Sequence, residues 1–189
     1  AGNWEGQNIL NRINPPRKFT PVEEVSLSKC REALMAERNK RTRPGWDDKV
    51  LADWNGLMIA AMAEASAVFG EPIWLTTAVG AYSFIRDNMM ADGRLFHSYR
   101  NGQPKHVGTL DDYACMIHAA CTLNEVTGKT SYLEEAEAWA AILDAHYWDK
   151  IDGGYFFTAD DAEALIVRNK SVSDHATPSG NGLMVSMLA

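Results

Sequence analysis

Acidic, amide and hydroxyl side chains recur at the heads of three strongly apolar runs. Asp53, Trp54 and Asn55 precede Leu57 to Phe69, Asp111, Asp112 and Tyr113 precede Ala114 to Cys121, and Asp174, His175, Ser179 and Asn181 lead into Leu183 to Leu188. A carboxylate near the positive end of a helix stays ionised, whereas one crowded by a second carboxylate shifts toward its protonated form. A rim that gathers several of them can therefore hold both an acid and a base. Taken singly, Asp53, Asp111 and Asp174 read as helix caps. Asp111 and Asp112 are adjacent and cannot both cap, which makes Asp112 the first choice for a free carboxylate.

Histidine is the side chain best suited to moving protons near neutrality. His175 stands just before the third apolar run and His106 follows an Asn-Gly turn, so both can reach the same rim. Asp112, His175 and Asp174 are the catalytic candidates. Asp53, Asn55, Asp111, Ser179 and Asn181 would line the opening, and the rings of Trp54 and Tyr113 would suit the face of a sugar or simply pack. Arg168 and Lys170 could hold a substrate carboxylate or phosphate, or could be the charged ends of a surface hairpin. His118, a turn into an apolar run, reads as a core histidine. No metal or cofactor signature is present: there is no H-E-x-x-H, no paired Cys/His spacing, and Gly180-Asn181-Gly182 lacks the ending of a phosphate loop. Pro178-Ser179-Gly180 is no nucleophile elbow.

The elements that must position these groups repeat. Gly70 follows Asp53 at the same offset as Gly128 follows Asp111, which gives repeats of about 53–110 and 111–172 and an incomplete one from 173 to 189. Each begins with a helix apolar on all sides, hence buried, stopped by glycine. An amphipathic helix follows, over about 73–90 in one copy and Tyr132 to Trp148 in the next, with Leu133, Ala136, Ala140, Leu143 and Tyr147 on its inner stripe. So short a turn makes the two helices antiparallel. Then comes a small β excursion. Arg94 to Arg100, Asn101-Gly102 and Gln103 to Val107 carry a strong hairpin signal, and Tyr155 to Thr158 with Leu165 to Arg168 suggests a second hairpin. Thr20-Pro21-Val22-Glu23 marks a helix start, and a further helix is expected from about Ser28 to Arg41, with Leu34 and Met35 inward. Asn14-Pro15-Pro16 belongs to an irregular arm.

The 189 residues, 46% hydrophobic and 23% charged, suit one globular domain or part of a larger one. A net charge of -7 argues against nucleic acid as a partner. No apolar run approaches the roughly 18 residues of a membrane span. Cys30, Cys115 and Cys121 lack a pairing pattern and fit a reducing, cytoplasmic setting. The first residue is not methionine, which leaves room for a removed leader or an upstream domain.

Four segments, Gly2-Asn3-Trp4-Glu5-Gly6-Gln7-Asn8-Ile9-Leu10, Lys49 to Leu57, Leu110 to Ala114 and Thr177 to Asn181, resemble in this order the YyaL / spermatogenesis-associated protein 20 family. The resemblance implies an all-α fold, a partial (α/α)6 toroid of helical hairpins with small β-hairpin excursions, similar to the six-hairpin glycosidases and N-acylglucosamine 2-epimerases. It also implies an upstream thioredoxin-like domain as partner. The expected function is binding or processing of a sugar-like small molecule by acid/base chemistry, as in an epimerase or glycosidase. The alternative is a non-catalytic scaffold of a thioredoxin-domain protein. A partial ring would expose apolar edges and favour self-association.

Overall fold

Both glycine-stopped apolar runs fold as long helices, and each is followed, as its turn requires, by an antiparallel partner. The structure is a computed structural model in which residues 2, 4–9, 11–13 and 17–189 are described. The arm expected at Asn14-Pro15-Pro16 lies outside them. Two compact units divide the chain, residues 1–47 and 48–189.

The first unit contains α1 (Pro21–Arg38), started by the expected capping box between Thr20 and Glu23. Two helices were expected here and one is found, because no glycine or proline interrupts the chain between Pro21 and Pro44. The helix buries no residue, and Leu34 and Met35 are exposed rather than inward.

In the second unit β1 (Val50–Leu51) runs directly into α2 (Ala52–Phe69), and α3 (Pro72–Asn88) follows after Gly70, whose left-handed φ of 69° turns the chain. Three strands come next: β2 (Met90–Ala91), β3 (Arg94–Arg100) and β4 (Gln103–Val107). The β3–β4 hairpin is the one expected, with Asn101 and Gly102 both at positive φ as a type I′ turn requires. The two-residue strands β1 and β2 were not foreseen. Both pair antiparallel with β3, and Leu51 lies opposite Ser98, so the start of α2 is tied to the middle of the hairpin.

The repeat continues with α4 (Leu110–Thr127), α5 (Ser131–His146) and α6 (Gly180–Leu188). From Leu110 to Ala120 every residue of α4 is buried except Asp111 and His118, which are half-buried. This helix packs against α2, α5 and α6, and so forms the middle of an inner row with α3 and α5 outside. Tyr82 of α3 meets Tyr132 and Trp139 of α5 at ring-centroid distances of 5.1 and 6.0 Å, which joins the outer helices. On the stripe of α5, Ala136, Leu143 and Tyr147 are buried as expected, whereas Leu133 is exposed.

The expected second hairpin, Tyr155–Thr158 with Leu165–Arg168, does not form. An isolated bridge joins Trp148 and Tyr155, and the Phe157 N–H donates to the Asn169 carbonyl. Side chains satisfy this backbone instead: Arg168 donates to the carbonyls of Thr158 and His146, and Lys170 to that of Gly153. Asn181 donates to the carbonyls of Tyr155 and Ser171. Among the described residues no helix is long and apolar enough to cross a membrane.

Gly56 sets the spacing of α2 and α4, since a Cβ there would lie 2.7 Å from the backbone of Cys115. Gly80, on α3, has open space around it. Gly56→Ala is therefore expected to destabilise by about 1–3 kcal/mol through overpacking. Gly80→Ala should stabilise by up to about 1 kcal/mol through helix propensity. Urea unfolding of both variants checks the sign of each change.

Candidate functional site

Helix α2 has no cap of its own. Its N-cap is Leu51, whose side chain cannot accept a hydrogen bond. The missing acceptor comes from the neighbouring inner helix, where Asp112 Oδ1 accepts from the Asp53 N–H at 3.1 Å. The same carboxylate completes the capping box of α4: its Oδ2 accepts from the Thr109 N–H at 2.7 Å and the Thr109 hydroxyl at 2.9 Å. It also faces His97 of β3, whose Nδ1 lies 3.0 Å from both oxygens. Asp112 is 0% exposed. The expectation of a free carboxylate is thus corrected, because every donor around Asp112 belongs to the protein.

The adjacent residue reaches the other way. Asp111 Oδ1 accepts from the Gly180 N–H at 2.9 Å, so it caps α6 across the inner row. Here the heads approach closely, since a Cβ on Gly180 would lie 2.5 Å from Leu110 Cγ. Asp111 and Asp112 together gather the leading turns of α2, α4 and α6 at one end.

His97 was not among the residues singled out from sequence. A carboxylate facing Nδ1 requires a proton there, which leaves Nε2 as the unbonded ring nitrogen. Its pKa is raised above 6.5, first by the hydrogen bond to Asp112 and further by the charges of Asp112 and Asp53, against burial and Lys49. Asp53 is half-buried, accepts from the Trp54 N–H, and has its pKa raised by burial and then by Asp112. Asp111 is raised mainly by burial as well. All three groups, His97, Asp53 and Asp111, are thus shifted upward. Trp54 stands beside them, 61% exposed.

Other expectations are revised by their surroundings. Tyr113 is fully buried, its hydroxyl accepting from the Leu95 N–H and its ring against Tyr147, so it fixes β3 to α4 and offers no face at the rim. Arg168 is spent on two carbonyls and stacks on Phe156 at 4.3 Å. Lys170 pairs with Asp149 at 2.6 Å and, with the Ile151 and Asp152 amides, holds that carboxyl down to about 2. Asn181 is buried and bonded to loop backbone on both ends of its amide. Asn55 donates back to the Leu51 carbonyl. His106 is exposed on β4 in a left-handed conformation, φ 61°, and the structure gives it no hydrogen bond at the site. Asp174, also exposed, accepts from the Ser179 N–H, and Ser179 caps α6 by accepting from the Gly182 N–H.

Beside Asp111 opens a cleft of about 270 Å³, with Leu110, Phe157, Ser173, His175, Thr177 and Ser179 among its walls. The structure therefore brings Asp111, His175 and Ser179 to one side of the α4 head and Asp53, Trp54, His97 and Asp112 to the other. Asp53, His97 and Asp112 offer ligand atoms within 4.8 Å of one another, as do His146, Asp160 and Asp161. In the first group Asp112 is saturated by protein donors, and in the second Arg94 holds Asp161 with two bonds of 2.9 and 3.1 Å.

No protein-family model matches the chain. It is 32% identical over 200 residues to spermatogenesis-associated protein 20 of Homo sapiens, across 96% of this chain and 25% of that protein, and equally to the Rattus norvegicus protein. The chain thus spans about a quarter of the length of these curated relatives. Among solved structures it is similar to a cellobiose 2-epimerase from Spirochaeta thermophila, with TM-score 0.57 and 20% identity over 69% of this chain and 34% of that one. A D-mannose isomerase gives TM-score 0.58 and 15% identity over 74% and 38%. A family 76 glycoside hydrolase from a bovine Bacteroides thetaiotaomicron strain gives 0.53 and 19% over 58% and 24%. The resemblance to the spermatogenesis-associated protein 20 family runs along nearly the whole chain, and the fold is part of an (α/α)6 toroid.

Two outcomes follow from the Asp112 contacts. Removing the carboxylate in Asp112→Ala strands buried donors and is expected to cost about 3 kcal/mol or more in urea unfolding. Because the folded pKa of His97 is raised, its pairing stabilises fully below 6.5 and is lost as pH climbs through the raised value. The unfolding temperature should therefore fall as pH is raised above about 6.5, and His97→Gln should flatten that slope.

Proposed function

We propose that the gathered helix heads bind a sugar-like polyol and that the chemistry is proton transfer, as in an epimerase or isomerase. The observation that carries this reading is His97, held at Nδ1 by a buried carboxylate, with Nε2 given no hydrogen bond among the described residues and a ring nitrogen within 4.8 Å of the Asp53 carboxylate. An imidazole positioned this way, with a carboxyl group close by whose pKa is raised, suits removal and return of a proton next to a carbonyl. Trp54 supplies an exposed ring on which the C–H face of a sugar can rest.

Glycoside hydrolysis is the less favoured chemistry. It asks for two working carboxyl groups about 5–9 Å apart, and Asp112, within 4.8 Å of Asp53, has its oxygens occupied. The sugar epimerase, isomerase and hydrolase among the structural neighbours support sugar processing as the broad class. A purely scaffolding role would account for the caps but gives no use to an oriented imidazole. The free cysteines support a reducing, cytoplasmic setting. A thioredoxin-like domain and further ring helices belong to the same reading.

The test is isotope exchange. Neutral aldoses incubated with the whole protein in D2O should gain deuterium at the carbon next to the carbonyl, followed by NMR. His97→Gln and Asp53→Asn should each slow exchange about 100-fold or more. Hydrolysis of glycosides without any exchange would contradict the proposal.

A further inference from the structure

The cleft between the heads of α4 and α6 has walls that discriminate by charge. We propose that it is a subsite for the ring of a neutral sugar and that it turns away sugar phosphates and uronic acids. This rests on the proposed function for the kind of ligand, and adds where one ring sits and which charge it must lack.

At about 270 Å³ the cleft is at the small end of ligand sites, a size for one ring. Its walls combine apolar Leu110 and Phe157 with the hydroxyls of Ser173 and Thr177. A pyranose presents the same two chemistries, an apolar C–H face and an edge of hydroxyls.

A helix N-terminus opening on such a cleft would ordinarily attract an anion. Here that position is taken. The Gly180 N–H donates to Asp111 and the Gly182 N–H to Ser179, so a carboxylate of the protein already occupies the head of α6. The second oxygen of Asp111 accepts no hydrogen bond among the described residues and can receive one from a sugar hydroxyl. An entering phosphate or carboxylate would meet that same charge, with Asp112 close enough to act electrostatically on Asp111. The two cations that sequence offered as anion holders are spent elsewhere, Arg168 on carbonyls and Lys170 on Asp149 and Gly153. Neutral ligands find donors and acceptors in the cleft, while anionic ones find a like charge.

Titration of the whole protein with D-mannose, D-mannose 6-phosphate and D-glucuronate tests this, read by amide NMR shifts at pH about 8, above the ordinary histidine range. Mannose is expected to shift the amides of Thr177, Gly180 and Gly182, and both anions to bind at least about tenfold more weakly. Asp111→Asn keeps an oxygen for the Gly180 N–H while removing the charge, and should narrow that gap about tenfold or more. Anions binding as well as mannose, an unchanged gap in Asp111→Asn, or no shift of the cleft amides with mannose would each overturn the subsite. Mannose shifting only amides around His97 would also overturn it while leaving the proton-transfer reading intact. Cleft binding without deuterium exchange would support the subsite and remove the chemistry.

Discussion

A carboxylate withdrawn from water is tolerated only where the protein replaces the water it has lost. Asp112 meets that condition with donors from three separate places: the Thr109 backbone and hydroxyl at its own helix start, the Asp53 amide at the head of α2, and the His97 ring on β3. Each donor would be worth little at the surface. In a fully buried setting the loss of any one leaves the others facing an under-satisfied charge, so the three elements are held in register by a single side chain. The relative placement of α2, α4 and the hairpin follows from this constraint, and so does the orientation of the imidazole.

Asp111 extends the arrangement by one helix. Adjacent residues on a helix point in different directions, and the Asp-Asp pair uses this to cap α2 on one side and α6 on the other. The middle inner helix thus supplies the cap that α2 lacks, its N-cap being Leu51, and adds a second acceptor at the head of α6, which Ser179 already caps. Small residues at the contacts, Gly56 against Cys115 and Gly180 against Leu110, let the helices come close enough for these bonds to form. Polar groups crowd at this junction because the helix starts need them.

Much of this was legible in the sequence. All-round apolar runs ended by glycine gave the inner helices, their repetition gave the stacking, and Asn101-Gly102 gave the hairpin. The heads of α2, α4 and α6 come together, but their polar side chains divide between two sides of α4. Which side chain does what was not legible, because it depends on contacts across the repeat. Asp112 already answers Thr109 at its own helix start, a capping pair overlooked in the sequence, and α2 and β3 then take up the rest of the carboxylate. His97 escaped notice because a two-residue strand, β1, brings α2 beside it, and such short pairing leaves almost no trace in sequence. The alternation Leu95, His97, Tyr99 was the available hint, a histidine among ring and aliphatic side chains at every second position of a strand. Arg168 and Lys170 looked like substrate holders because nothing local announces that a strandless loop will need cations for its carbonyls.

The central claim is that Asp112 fixes the proton on Nδ1 of His97 and leaves Nε2 for chemistry. Nitrogen-15 NMR of the His97 ring through a pH titration measures this directly. The account predicts a neutral form protonated at Nδ1, a titration above 6.5, and a lower value once Asp112 is changed to Asn. A neutral form protonated at Nε2, or a titration that Asp112→Asn leaves unmoved, would contradict it.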